Sequence, residues 1–171
     1  MALDRVFTDF SVRKLRQLTA RIRECAGPLT EEQLWWRATE SQNAVGNLLL
    51  HLAGNVRQWI VAGTGGAPDI RVREREFSSR GGTAAADLLE RLEQTVEEAA
   101  AVLERLPPGR YEERVKIQNY EVTVLEAVYH VVEHFSQHTG QIILLARLAA
   151  GVEPGFYRHL QQPGPHGEKT P

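Results

Sequence analysis

Cysteine is almost absent from this chain of 171 residues, which contains only Cys25. A single cysteine excludes an intrachain disulfide, and it also excludes zinc sites built from several cysteine thiolates. Long hydrophobic runs are missing too, since no apolar stretch approaches the ~20 residues that a membrane-spanning helix requires. The first ten residues lack the basic-then-apolar order of a signal peptide. We therefore expect a soluble cytoplasmic protein with no membrane partner.

An excess of charge is also missing, because 20 Lys and Arg residues face 22 Asp and Glu residues and the formal net charge is −2. There is no basic stripe with interleaved aromatic residues, so nucleic acid is not an expected partner. The length suits one domain with a full hydrophobic core. We predict a helical domain over residues 1–162 and a C-terminal tail over residues 163–171.

Helical periodicity runs through most of the chain and predicts an all-α fold. Glycine and proline separate four long predicted helices, which cover about residues 4–25, 43–62, 83–106 and 123–150. One face of the first helix is predicted to be buried through Leu3, Val6, Phe10, Leu15, Leu18 and Ile22. Because only packing buries such faces, we expect a single-domain, up-down, mostly antiparallel four-helix bundle.

The links between these helices carry weaker signals. Residues 30–33, Thr-Glu-Glu-Gln, read as a capping box for a short helix, and Thr83 is a candidate cap for the third long helix. Residues 71–77 are charged with mixed sign, which is typical of a surface connection. Residues 112–123 alternate weakly and predict an irregular or short extended link.

Three histidines give the strongest functional signal. His134 and His138 lie one helical turn apart, so their imidazoles project from one face of the fourth helix. His51 lies at the edge of the apolar stripe of the second helix. Three imidazoles from two helices would hold a divalent metal and leave a coordination position open, which suits a catalytic site better than a structural one.

Three other polar residues share these helix faces and are candidates to surround the metal ligands, although each also suits an ordinary surface position: Asn55, His130 and Gln141. A rival motif is present, because residues 130–134, His-Val-Val-Glu-His, match the HxxEH pattern of certain zinc proteases. Those enzymes are much larger, and this chain shows no matching second segment with an acidic ligand. We therefore favour the three-histidine set.

Two segments resemble the DinB/YfiT-like superfamily. Residues 41–55, SQNAVGNLLLHLAGN, resemble the second-helix signature of that superfamily, and residues 129–141, YHVVEHFSQHTGQ, resemble its final helix with His-x-x-x-His and Gly-Gln. Residues 73–78, REREFS, resemble a stretch of one small branch. The resemblance covers roughly residues 4–152. Many members carry His-His-Arg-Gly-Gln where this chain has Gln-His-Thr-Gly-Gln, so a neighbouring histidine and an arginine are absent.

This resemblance implies a four-helix bundle, a homodimer, and a nickel or zinc ion held by the matching residues His51, His134 and His138. Characterised relatives include thiol-dependent S-transferases and a mycothiol-dependent isomerase. We therefore expect a metal-dependent enzyme acting on a small molecule, either a low-molecular-weight-thiol S-transferase or a hydrolase. The alternatives are a non-catalytic, stress-related metal-binding bundle, which a dry apolar pocket would favour, and a metal-free helical dimerisation module.

Overall fold

The computed structural model describes residues 3–156 and is mostly helical. The helices are α1 (Leu3–Ala26), α2 (Glu31–Leu34), α3 (Val45–Val56), α4 (Arg73–Ser78), α5 (Ala85–Glu104) and α6 (Val124–Ala150). A π-helical segment, Arg57–Ala62, continues α3, and a 3-10 turn at Arg110–Glu112 precedes two strands, β1 (Arg114–Ile117) and β2 (Tyr120–Thr123). The predicted domain boundary at residue 162 and the predicted tail lie outside the described residues.

Side-chain caps begin two of the helices, α2 and α6, whereas α3, α4 and α5 begin without one. Thr30 and Gln33 form the predicted capping box of α2. Thr123 and Glu126 form another at the start of α6, which ends at Gly151 in the left-handed conformation with φ of 64°. The predicted Thr83 cap is wrong, because α5 begins after Ala84 and has no side-chain cap.

The four long helices pack in a ring, in which α1 contacts α5 and α6, and α3 contacts the same two helices. Helices α1 and α6 run in the same direction. Near the start of α1, the hydroxyl of Thr8 lies 2.6 Å from that of Tyr111 in the 3-10 turn, and just after this turn the carbonyl of Glu113 accepts from the amide of Val124, the first residue of α6. Near their ends, the amide of Gly155 donates to Glu24 at 2.8 Å.

Helices α3 and α5 also run in the same direction, and Trp35 shows this most directly. Its ring lies against Gly46 at the start of α3, and its indole nitrogen donates to the carbonyl of Thr83 just before α5, at 3.1 Å. The expected up-down order is therefore wrong. The reason is the long connection that contains α4, which returns the chain to the starting end before α5 begins.

The core is one continuous cluster between these helices, with Leu15, Leu52, Leu92 and Phe135 among its fully buried members. The predicted buried face of α1 is correct only for its later turns. The large side chains of its first turns are exposed: Leu3, Val6 and Phe10. Four apolar side chains of α6 are exposed in two pairs about four helical turns apart, Leu125 with Tyr129 and Leu144 with Leu148, and are together called here the exposed apolar stripe of α6. No helix within residues 3–156 is long and apolar enough to cross a bilayer.

Where the sequence predicts an irregular or short extended link, the structure has an antiparallel hairpin, a small exception to the all-α class. Its strands pair from Arg114 opposite Thr123 to Ile117 opposite Tyr120. The two-residue turn places Gln118 at φ of 55°. Ile117 packs against Gly63, just after the π-helical segment. This contact sets the hairpin beside the end of α3, where it forms part of a cavity wall described below.

Candidate metal centre

The structure brings His51, His134 and His138 together. The Nε2 atom of His134 lies 3.0 Å from Nε2 of His51 and 3.2 Å from Nε2 of His138, and the potential ligand atoms of all three lie within 4.8 Å of one another. Two nitrogens bound to one cation at about 2.1 Å, roughly 90–110° apart, would be separated by about 3.0–3.4 Å. The two separations of 3.0 and 3.2 Å fit a shared divalent metal.

Helix spacing brings His134 and His138 together, and the packing of α3 against α6 adds His51. His134 and His138 stack on one face of α6 because four residues complete about one turn. His51 comes from α3, which runs antiparallel to α6, and the close packing of the two helices places its ring centroid 4.9 Å from that of His134. His51 is buried, and the two α6 histidines are half-buried.

A buried ion pair supports His51 from behind. Nδ1 of His51 lies 2.9 Å from Oε2 of Glu76. The Arg71 guanidinium donates to both carboxylate oxygens of Glu76, at 2.7 and 2.8 Å. One nitrogen of Arg71 is also 3.1 Å from Nδ1 of His51. Because the guanidinium has only donors, the carboxylate is the group that can accept the Nδ1 proton.

The pKa of Glu76 keeps the carboxylate ionised. Burial alone would raise this pKa and is the largest influence, but the hydrogen bonds from Arg71 and His51 outweigh it, so the pKa lies below its ordinary value. In the neutral form that binds metals, His51 therefore carries its proton on Nδ1 and a lone pair on Nε2.

The two α6 histidines differ in their outer partners. Nδ1 of His138 donates to the side-chain oxygen of Gln141 at 2.7 Å, which leaves the lone pair of His138 on Nε2. Nδ1 of His134 is buried and has no hydrogen-bond partner within residues 3–156. A proton on Nε2 of His134 can satisfy only one of its two neighbours. A cation at the meeting point of the three Nε2 atoms would satisfy all of them.

Burial also keeps the α6 histidines neutral. It lowers the pKa of His134 to about 3, with further lowering by His138 and His51 nearby. Burial likewise lowers the pKa of His138, although the hydrogen bond with Gln141 opposes that shift. Neutral imidazoles are the form in which histidine binds a metal.

Asn47 and Gly54 explain how Glu76 reaches His51. The amide nitrogen of Asn47, fully buried on α3, donates to the carbonyls of Glu76 and Ser79, both at 2.9 Å. These bonds pin α4 against α3. Gly54 leaves the space that the ion pair fills, because a Cβ atom there would overlap Oε1 of Glu76 and lie 3.0 Å from Nε of Arg71.

A cavity of about 530 Å³, called here the histidine cavity, opens beside the cluster. His51 and His134 lie on its wall, and the remaining wall comes from α3, α6, the hairpin and the segment before α4. The other lining residues are Asn55, Trp59, Arg71, Arg73, Gln118, Tyr120, Val122, Glu126 and His130. The histidine cavity is open and mixed in polarity, so a small molecule can reach the histidines from solvent.

The three other predicted site residues take different positions. Gln141 contacts His138 directly. Asn55 is buried on the wall of the histidine cavity, and its side-chain oxygen has no hydrogen-bond partner within residues 3–156. His130 also lines this cavity, and its ring packs on Trp59 with centroids 4.2 Å apart. Burial lowers the pKa of His130, against the opposing effect of Glu133.

The geometry disfavours the HxxEH motif. Within the described chain, the group of close ligand atoms consists of His51, His134 and His138 and leaves out His130. Glu133 is exposed, away from the cluster. Residues 130–134 therefore match the HxxEH motif in sequence, but His130 and Glu133 do not lie where that motif needs a zinc ligand and a general base.

Arg71 and Glu76 were not predicted as site residues, because the mixed charges of residues 71–77 indicate a surface connection. Their side chains are only 4% and 9% exposed. The two residues are five positions apart, a spacing that places them on no common helix face. The one available signal was the resemblance of residues 73–78 to a family stretch, which gave no role to any residue.

Comparison with known proteins supports the fold. A family model described as "Protein of unknown function (DUF1572)" matches residues 4–156. No functionally curated protein matches the chain significantly.

Three solved structures are similar to this chain, each at 17% sequence identity. A conserved protein from Enterococcus faecalis has a TM-score of 0.71, with 88% of this chain and 99% of that chain covered. A DinB-like protein from Bacillus cereus has a TM-score of 0.69, with coverage of 86% and 95%. A DinB-like protein from Bacillus subtilis has a TM-score of 0.65, with coverage of 86% and 96%. The resemblance to the DinB-like proteins is thus confirmed at the level of the fold.

Proposed function

We propose, from the premise that this chain belongs to the DUF1572 family of proteins of unknown function, that it is a metal-dependent enzyme. In this proposal His51, His134 and His138 hold a divalent cation, nickel or zinc, near one wall of a four-helix bundle. The reaction is a thiol S-transfer or a hydrolysis, with a small-molecule substrate and, for S-transfer, a low-molecular-weight thiol as cosubstrate.

One observation carries the metal assignment, namely that three Nε2 atoms converge while the outer partners of two of them, His51 and His138, hold the ring proton on Nδ1, away from the meeting point. Glu76 accepts from Nδ1 of His51, and Gln141 accepts from Nδ1 of His138. Hydrogen bonds from the outer nitrogen to a carboxylate or an amide oxygen are typical of metal-bound histidines. The Nε2 atom of His134 lies 3.0 Å from that of His51 and 3.2 Å from that of His138. A bound cation explains this arrangement better than a hydrogen bond does, because one proton cannot be shared by three nitrogens.

The histidine cavity favours a catalytic role for the metal over a purely structural one. A divalent cation held by three neutral imidazoles lowers the pKa of a thiol or a water beside it and so supplies a nucleophile near neutral pH. The open cavity of about 530 Å³ gives substrate access to that position. A dry, closed pocket would have favoured the non-catalytic alternative.

His130 is suited to accept a proton in this reaction. It lines the cavity one helical turn from His134, with ring centroids 5.5 Å apart, and is not part of the ligand cluster. Because burial lowers its pKa, its imidazole is neutral at pH 7 and can take up a proton. Asn55, with its unpaired buried oxygen, is the other candidate to contact a substrate.

Metal analysis tests the proposal. The protein is purified without an affinity tag or chelator, its metals are quantified, and it is assayed with electrophiles in the presence of several low-molecular-weight thiols and with simple esters. We expect about one nickel or zinc ion per chain and turnover that chelation abolishes. Protein that binds neither ion would overturn the proposal, and stoichiometric metal without any turnover would support the non-catalytic alternative.

We also propose a homodimer, as the family resemblance implies. The exposed apolar stripe of α6 and the exposed first turns of α1 supply side chains for an interface between two copies: Leu3, Val6, Phe10, Leu125, Tyr129, Leu144 and Leu148. Exposed apolar side chains on two neighbouring helices favour an interaction surface, and a twofold dimer is the commonest assembly.

A further inference from the structure

A second cavity, of about 310 Å³, lies between α3, α5 and the segment that carries α4. We call it the arginine cavity, because four arginines line it: Arg57, Arg71, Arg75 and Arg91. Glu76 is the one acidic side chain among the described residues of its wall. Two of its lining residues, Arg71 and Glu76, also form the ion pair behind His51, and Arg71 lines the histidine cavity as well, whereas Arg75 and Arg91 take no part in the proposed metal chemistry.

The charges in the arginine cavity are incompletely balanced. Arg71 is neutralised by Glu76, and Arg57 is paired on one side with Glu98, which does not line the cavity. Nε of Arg57 is buried and has no hydrogen-bond partner within residues 3–156. In the same described range, neither Arg75 nor Arg91 forms an ion pair, and both are exposed.

Apolar side chains and hydroxyl groups complete the wall, the apolar part coming from Leu50, Ala53, Ile70 and Val72. The hydroxyl-bearing residues Ser79, Thr83 and Thr95 line the cavity beside the arginines. Thr83 lies two residues before α5, which starts without a side-chain cap. Asp87 in the first turn of α5 offsets the partial positive charge of that helix end, so the guanidinium groups and the hydroxyls are the donors on which the site depends.

We propose that the arginine cavity binds a small molecule that carries a phosphate group or a comparably charged oxyanion. The planar guanidinium fork matches the oxygens of phosphate and donates two parallel hydrogen bonds to it. A volume of about 310 Å³ exceeds what a bare phosphate needs and lies at the lower end of small-molecule sites, roughly 300–1,000 Å³. The ligand therefore has a compact body attached to its anionic group.

The test of this proposal can be separated from the metal assignment, because Arg75 and Arg91 line the arginine cavity and contact neither the histidine cavity nor the Arg71–Glu76 pair's histidine partner. These two arginines are also exposed, so their substitution leaves the core intact. Arg105 is a matched control, since it is an exposed arginine that does not line either cavity.

Isothermal titration calorimetry tests the site with inorganic phosphate, pyrophosphate and glucose 6-phosphate as separate probes, in chloride of matched ionic strength. We expect at least one probe to bind, and Arg75→Gln and Arg91→Gln each to weaken that binding by about tenfold or more, the effect of removing a charged hydrogen bond. Arg105→Gln should bind as the unchanged protein does. Tighter binding of glucose 6-phosphate than of inorganic phosphate would identify a phosphorylated metabolite as the ligand class, and the reverse order would identify the free anion.

Two results would overturn the proposal. One is the absence of binding by all three probes at concentrations of several millimolar, where a Kd of about 1 mM would be seen. The other is equal weakening in Arg105→Gln and the two cavity variants, which would show that the anions respond only to general surface charge. Thermal unfolding of each variant confirms that the compared proteins are folded.

Discussion

Nδ1 of His51 lies 2.9 Å from Oε2 of Glu76, two residues that are separated by 25 positions in the sequence. This contact fixes which nitrogen of His51 is free to bind a metal. It also links the metal centre to α4, because Asn47 holds the backbone of that helix against α3. The histidine cluster is thus supported by a segment that lies outside the four long helices.

Replacing one ligand histidine should abolish metal binding. In His134→Ala, only two imidazoles remain, and two ligands hold a divalent cation poorly. We expect the bound zinc or nickel to fall from about one per chain to near zero, as measured by elemental analysis after dialysis. His130→Ala is the matched control and should keep its metal. If His130→Ala loses the metal while His51→Ala keeps it, the HxxEH interpretation is correct instead.

Removing the carboxylate behind His51 should weaken metal binding without abolishing it. In Glu76→Gln the outer partner of His51 loses its charge, and changes of this kind lower metal affinity by roughly 10–100-fold. Competition with a chelator of known affinity measures the change. Glu74→Gln, an exposed residue of the same helix, should leave the affinity unchanged. Equal affinities in the two variants would show that Glu76 does not support the metal.

Gly54→Ala should disturb the metal centre through sterics alone. The added methyl would overlap Oε1 of Glu76, so the Arg71–Glu76 pair must shift away from His51. We expect weaker metal binding and a lower melting temperature. Gly140→Ala is the control, since a Cβ there meets nothing within 4 Å. It should stabilise α6 by roughly 0.5–1 kcal/mol. A Gly54→Ala protein with unchanged metal affinity would contradict the close approach seen here.

Acid should destabilise the metal-free protein. The pKa of His134 is lowered to about 3 in the folded chain, from an ordinary value of 6.5, so the unfolded chain binds this proton more readily. Stability that is present above about pH 6.5 is therefore lost as the pH falls below that value. The lowered pKa of Glu76 acts in the same direction at lower pH. Urea unfolding with chelator at several pH values measures the slope.

His134→Gln supplies the control for this pH dependence, because glutamine does not titrate. Its free energy of unfolding should depend less steeply on pH than that of the unchanged protein between about pH 4.5 and 7. Identical slopes would mean that His134 does not carry the effect.

The α6 stripe should control association. Leu144→Glu and Leu148→Glu place charges on the proposed interface, where burial of an unpaired charge is costly. We expect the dimer to dissociate to monomers in sedimentation equilibrium at tens of micromolar, a range in which interfaces of ~micromolar affinity are populated. Ile70→Glu changes an exposed apolar residue outside the stripe and should leave the dimer intact. A monomer in the unchanged protein would refute the dimer.

Part of this molecule follows from spacing along the chain. The helical class, the capping box at Thr30 and the shared face of His134 and His138 all come from patterns within a few residues. Helix geometry is local, and one turn is enough to decide which side chains lie together. The edge position of His51 in its own helix was predictable for the same reason.

Tertiary packing decided the rest. Helices α3 and α5 run in the same direction because the long connection between them brings the chain back to the starting end of α3. Hydrophobic periodicity predicts the helices themselves but not the path of such a connection. Arg71 and Glu76 belong to a connection with no regular pattern. They are buried because Asn47 hydrogen-bonds the backbone of α4 and because Gly54 leaves space for their side chains against α3. The sequence thus determined which histidines share a helix face. Only the packed structure decided that the two faces meet, because that meeting depends on contacts between residues far apart in the chain.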